Sequence, residues 1–184
     1  MDVYTAIRTR RDMEAFADKC PPREVVARII EAATWAPNHR LTEPWRFYVV
    51  AGDRREMMGA AIVDWLAASG APEGAQRSAL SKLMRAPLTI FVSQAGAGDD
   101  ADRTLEDYAA CAAAVQNLLL AAHEEGLIVH LSTDRMIGYE KTREYLGLAP
   151  GDRVVAMLNL GYLRADAPPK EGRRSAPVVT WDGV

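Results

Sequence analysis

Residues 104–126 read TLEDYAACAAAVQNLLLAAHEEG, and from 109 to 122 the segment is apolar nearly all the way round a helical projection. Gly126 stands where a helix is commonly closed by a left-handed residue, so the spacing predicts one long helix ending there. A helix with so little polar surface must be covered on every side. Other layers of the domain or a second subunit supply that cover, and we expect this helix to form a dimer core.

Outward from this helix, LIVHLS (127–132) and LTIFVSQ (88–94) are short apolar runs that read as strands, the latter of the kind buried on both faces. The polar AGAGDDADR (95–103) between strand and helix reads as a loop. Further on, GYEKTREYLG (138–147) is a short helix and DRVVAMLNLGYL (152–163) the last long strand. Toward the N-terminus, DVYTAIRTR (2–10) sets Val3, Ala6 and Ile7 on one helical face, and PPREVVARIIEAATWAP (21–37) does so with Val25, Ile29, Ala32 and Ala33. Pro21 and Pro22 suit the start of that second helix and Pro37 its end. WRFYVVAG (45–52) reads as a strand, with Trp45 and Phe47 as core residues. RREMMGAAIVDWLAAS (54–69) and the weaker AQRSALSKLMRAP (75–87) read as helices. Strands alternating with helices argue for a three-layer α/β or α+β architecture.

At 184 residues the chain fits a single domain, 1–184, and a proline-, glycine- and charge-rich tail, 165–184, should run over a surface, with Val178, Val179 and Trp181 packing on a partner subunit. Lys plus Arg total 22 against 25 for Asp plus Glu, a net charge of −3, which gives no reason to seek nucleic acid or a membrane surface. No apolar run approaches the roughly 20 residues needed to cross a bilayer. The opening residues lack the apolar core of a signal peptide, and Cys20 and Cys111 are far apart without a CxxC or Cys/His grouping. Both features point to a reducing cytoplasm.

GxGxxG after a strand, GxxxxGK[ST], HExxH and GxSxG are all absent, and His39, His123 and His130 lie on three elements without metal-ligand spacing. What stands out is a pair of basic clusters at opposite ends of the chain, Arg8, Arg10 and Arg11, then Lys170, Arg173 and Arg174. Taken singly each is a solvated charge run. Arginine forks match phosphate oxygens bidentately, however, and two clusters from distant parts of a chain can converge on one phosphate.

AIRTRRDMEAF (6–16), followed by AATWAPNHRLTEPWRFYVV (32–50), resembles the opening of the FMN-dependent nitroreductase family. AACAAAVQNLLLAAHEEGL (109–127) is similar to that family's central helix, and LNLGYLRADAPPKEGRRS (158–175) to its closing strand and basic tail. The wording is closest to the small, minimal members.

The resemblance implies an α+β fold of three layers, α/β/α, with a central, mostly antiparallel sheet flanked by helices. It implies FMN as cofactor, NADH or NADPH as reductant, and a homodimer with FMN sites at the subunit interface. Arg10, Arg11 and Asp12 are then expected at the phosphate and ribityl chain, with Arg173 and Arg174, and less directly Lys170, completing the phosphate site. Trp35 and His39 are expected to reach the partner's flavin, and Leu131, Ser132 and Thr133 to lie along the ring. A lid over the flavin falls within 65–85. No side chain need act as nucleophile, because a flavin carries the chemistry. The implied activity is hydride transfer through FMN to nitroaromatics, quinones or a similar small conjugated acceptor. Alternatives are same-fold chemistry such as enone reduction, dehalogenation or ring oxidation, or a flavin-binding dimer without turnover. Asp12 stands where the family carries Ser, Glu14 where it carries Arg, and Leu41 and Glu43 replace an Asn and a Gln. Either carboxylate would repel a bound phosphate unless Arg10 or Arg11 neutralises it.

Overall fold

The computed structural model describes residues 1–172 and 174–183. Its strands are β1 (Trp45–Ala51), β2 (Leu88–Gln94), β3 (Leu127–Ser132) and β4 (Arg153–Tyr162), paired antiparallel throughout in the order β1-β2-β4-β3. β2 lies between two neighbours and is buried at all seven positions, as suits a strand that is apolar at its centre on both faces. Leu88, Ile90 and Val92 face one helical layer with Leu158 and Leu160, while Phe91 faces the other with Met157. Val92 pairs with Ala156 but Ser93 with Val154, leaving Val155 as an inserted residue in β4. The bulge turns Val155 and Ala156 to the same layer, so that Val154 and Met157 can both reach the opposite one.

The helices are α1 (Val3–Thr9), α2 (Arg23–Thr34), α3 (Asp53–Ala68), α4 (Glu73–Met84), α5 (Ala101–Glu124) and α6 (Glu140–Leu146), with a 3-10 turn at Arg135–Gly138. α2 and α5 cover one face of the sheet; α3, α4 and α6 cover the other. The three-layer α+β expectation holds. The weakly patterned residues 65–85 become the end of α3, a turn and α4, whose Ala79 and Leu83 are buried.

α5 begins at Ala101, earlier than the loop reading of 95–103 implies, because the Asp100 carboxylate accepts the Arg103 backbone N–H at 2.8 Å and caps it. Gly126 follows the helix at φ 74°, the left-handed geometry expected of it. Ala110, Cys111, Ala114, Val115, Leu118, Leu119 and Ala122 form the buried stripe. The opposite face carries Leu105, 70 % exposed, and exposed Ala109 and Ala112. In α2 the buried face is Val26, Ile29 and Ala33, with Val25 only half-buried. In α1 only Ala6 is buried, and Val3 and Ile7 are exposed, because within this chain the helix touches α5 along one narrow edge.

Residues 10–17 cross the end of the sheet. Asp12 bridges in parallel to Val129, and Phe16 bridges antiparallel to Leu163. Ala17 N–H donates to Tyr162 O at 2.8 Å, and Arg164 N–H donates to Ala15 O at 2.9 Å. This path sets the arginine segment on the outer edge of β3, beside the start of the tail. Asn159, buried in β4, accepts from Thr89 Oγ1 at 2.9 Å and donates to Lys82 O at 3.1 Å, tying α4 to the sheet.

Candidate functional site

Between α1, the end of α5, β3 and the tail lies a cleft of about 360 Å3, lined by Arg10, Arg11, His123, Leu127, Leu163 and Lys170 among others. The Arg10 guanidinium makes no hydrogen bond or ion pair with another described residue. Arg11 is used differently. Its Nη1 donates to the carbonyls of Arg8 at 2.7 Å and Arg10 at 2.9 Å, and its Nε to that of Lys170 at 3.1 Å. Lys170 Nζ returns a bond to Asp12 O at 2.5 Å. Arg11 therefore fastens the tail to the end of α1. The tail backbone passes so close that a Cβ on Gly172 would stand 2.6 Å from Arg11 Cζ, so any larger residue there would have to displace the guanidinium.

The carboxylate of Asp12 is turned away from the arginines. Its Oδ1 accepts the Leu131 backbone N–H at 2.9 Å and its Oδ2 lies 2.9 Å from His130 Nδ1. Glu14 pairs with Arg85 Nη1 at 2.8 Å and lies 3.4 Å from the same His130 nitrogen. β3 and the end of α4, rather than Arg10 or Arg11, thus hold these two carboxylates, leaving Arg10 available. Asp12, Glu14 and His130 place ligand-type atoms within 4.8 Å of one another. With Arg85 on one carboxylate and a backbone N–H on the other, the cluster reads as an ion-pair network fastening β3. Beyond β3, Lys82 Nζ lies 2.6 Å from Asp134, and this hydrogen bond holds the Asp134 carboxyl below its ordinary range.

Leu131 and Ser132 end β3 half-buried and Thr133 is exposed just past it, so they continue the line from Asp12. Trp35 and His39 are not brought to this cleft. His39 lines a separate open pocket with Pro37, Asn38, Glu106 and Ala109, and Trp35, 79 % exposed, donates from Nε1 to Glu31 at 2.6 Å. The loop between them is pinned to α5: Arg40 Nε donates to Glu106 at 2.8 Å and Thr42 Oγ1 to buried Asp107 at 2.5 Å. Leu41 and Glu43 take φ of 49° and 44°, strained for residues with a Cβ, and Leu41 projects into solvent. Arg174 is exposed on the tail, and Arg173 lies outside the described residues.

Sequence reasoning passed over three residues that the fold brings in. His130 and Arg85 hold the two carboxylates; neither carries a spacing signal, because their partners lie far off in the chain. His123 lines the cleft, its Nε2 lying 2.8 Å from Thr9 Oγ1, which itself donates to Thr5 O at 2.7 Å. Burial first, then the nearby charges of Arg10 and Arg11, push the His123 pKa down, with Glu124 opposing. This favours the neutral imidazole.

A sequence model of the Nitroreductase family matches residues 7–162, most of the chain. The chain belongs to the nitroreductase family. Among its nitroreductase relatives is the Bacillus subtilis (strain 168) protein named "Putative NAD(P)H nitroreductase YfhC", 28% identical over 166 residues, covering 85% of this chain and 81% of that one. The fold is similar to that of a nitroreductase-like family protein from Bacillus cereus, with a TM-score of 0.81 and 26% identity over 97% of this chain and 96% of the other. It is also similar to a "putative nitroreductase in complex with FMN" from Desulfovibrio desulfuricans, with a TM-score of 0.70 and 27% identity over 94% and 91% of the two chains. As in any family of this breadth, membership fixes an oxidoreductase scaffold, and the site has to fix the rest. No helix among the described residues is long and apolar enough to cross a membrane.

Proposed function

We propose that this nitroreductase is an FMN-dependent NAD(P)H oxidoreductase whose acceptor is a nitroaromatic, a quinone or a similar small conjugated molecule. The observation that carries the reading is the Arg10 guanidinium, left without a described partner in a cleft shared with Lys170. Such a donor set suits a phosphate monoester, which offers three strong acceptor oxygens. The Gly172 backbone lies against the Arg11 guanidinium, where a side chain would press on it. When bound, FMN supplies the hydride chemistry between NADH or NADPH and the acceptor.

The chain's own residues bind and orient. Arg10, with Arg173 and Arg174 of the tail, holds the phosphate. Arg11 locks the tail in place through three carbonyls, and Asp12 fixes the β3 backbone at Leu131. Leu131, Ser132 and Thr133 then offer the ring a strand end of set position.

The working unit is a cytoplasmic homodimer. The exposed Leu105, Ala109 and Ala112 on the outer face of α5 support this, as do Val178, Val179 and Trp181, which are solvent-exposed on the tail and would pack on the partner. Trp35 and His39, remote from their own chain's Arg10 cleft, then serve the partner's site.

The test is the visible absorption spectrum of the purified protein, recorded anaerobically before and after NADPH is added. Flavin bands that bleach are the expected result. A protein that is colourless and stays so on dialysis against FMN overturns the reading.

A further inference from the structure

We propose that His123 is a proton-accepting member of the phosphate cradle, becoming an imidazolium as a phosphate monoester settles beside Arg10 and Lys170, so that cofactor binding takes up a proton from solvent. The inference rests on the flavin reading above and adds a residue to which the sequence reading gave no role.

The geometry starts from Thr9. Its hydroxyl has one hydrogen, which goes to Thr5 O at 2.7 Å, so the contact of 2.8 Å between Thr9 Oγ1 and His123 Nε2 needs the histidine to donate. His123 is then the Nε2–H tautomer, and Nδ1 keeps the lone pair that can accept a proton. The ring lines the same cleft as Arg10, Arg11 and Lys170.

The charged groups facing it come from every element packed there. Arg10 and Arg11, at and beyond the end of α1, repel a proton, and Lys170 of the tail adds a third positive charge to the cleft. Glu124 on α5 favours the proton, but its carboxylate is already paired with the Met1 ammonium at 2.5 Å. β3 contributes only the apolar Leu127, Ile128 and Val129 to this wall. With no anion bound the balance is cationic, and the histidine stays neutral. A phosphate dianion placed among these cations reverses the sign of the local field, and the same histidine then gains from being charged.

Two roles compete for this residue. A purely structural His123 holds Thr9 and has no stake in the phosphate; a cradle member couples its proton to it. His123→Gln separates them, because the glutamine amide can still donate to Thr9 but cannot carry charge.

The experiment is calorimetric titration of the apoprotein with FMN, and separately with riboflavin, in two buffers of different ionisation enthalpy at about pH 7.5, where a phosphate monoester is already a dianion. The wild type is expected to take up a large fraction of one proton with FMN and none with riboflavin. His123→Gln is expected to take up none, and to bind FMN several-fold more weakly at about pH 6.5 with riboflavin binding unchanged. Equal proton uptake by the variant, or none by a wild type that binds FMN, overturns the assignment while leaving the flavin reading intact. A wild type that binds neither flavin overturns both. Should the variant fold poorly, the NMR titration of the wild-type His123 ring decides: its midpoint must rise when FMN is added, and an unmoved midpoint rejects the proposal.

Discussion

Asp12 accepts the backbone N–H of Leu131 at 2.9 Å, and that single bond joins the arginine segment to the strand end on which the proposed ring site depends. The serine that the family pattern carries here is shorter by the reach of a carboxylate, so the aspartate is a longer tether. The same side chain meets His130 through its second oxygen. Asp12→Ala leaves the Leu131 N–H and His130 without this acceptor and should lower unfolding free energy by about 1 kcal/mol, measured by urea denaturation. Asp12→Asn keeps one acceptor oxygen and should fall between wild type and alanine. An alanine variant as stable as wild type would show that the tether carries no load.

Arg10 and Arg11 are adjacent in sequence but should behave oppositely. Arg10→Ala is expected to weaken FMN binding by about tenfold or more with no change in the thermal midpoint of the flavin-free protein, since it removes a charge-assisted contact and no described protein contact. Arg11→Ala and Gly172→Ala should instead release the tail, seen as faster protease cleavage within 165–183, because each breaks the packing of tail backbone on the Arg11 fork. Fluorescence titration and limited proteolysis read the two effects separately. Matching behaviour of all three variants would contradict the division of roles.

The two cysteines offer a test of the core. Burial, and secondarily Asp107, push the Cys111 thiol up to about 12, whereas Cys20 is exposed. A maleimide at about pH 8 should therefore label one site in the folded protein and two after denaturation. The sign of the pH effect follows. The folded pKa lies above the unfolded one, so the contribution is complete below the unfolded pKa and is lost as pH rises from there toward about 12. The thermal midpoint of the wild type should fall more steeply above about pH 9 than that of Cys111→Ala, which lacks the group.

Leu105 lies 70 % exposed on the outer face of α5, a position that has no role in an isolated chain. Leu105→Glu should dissociate the proposed dimer in light scattering and lower flavin retention along with it, since a buried unpaired charge is costly. Unchanged mass would remove this face from the interface.

Sequence alone determined the elements and their layering. β2 had to be covered on both faces because Ile90, Phe91 and Val92 at its centre set apolar side chains on both, and α5 had to close at Gly126 because few other residues take its φ of 74° cheaply. These are local rules, and a local pattern suffices to read them. The start of α5 was misread because a short polar cap at Asp100 resembles a loop until its N–H partner is seen. The convergence of the N-terminal arginines with the tail was also legible, through the motif pattern. What only the tertiary structure decided was the assignment of charges to partners. Asp12 went to Leu131 and His130, Glu14 to Arg85, and Arg11 to three carbonyls, which left the Arg10 guanidinium without a described partner and put His123 in the same cleft. Ion pairs and hydrogen bonds act over a few ångströms between residues up to 159 positions apart, so no spacing along the chain encodes them.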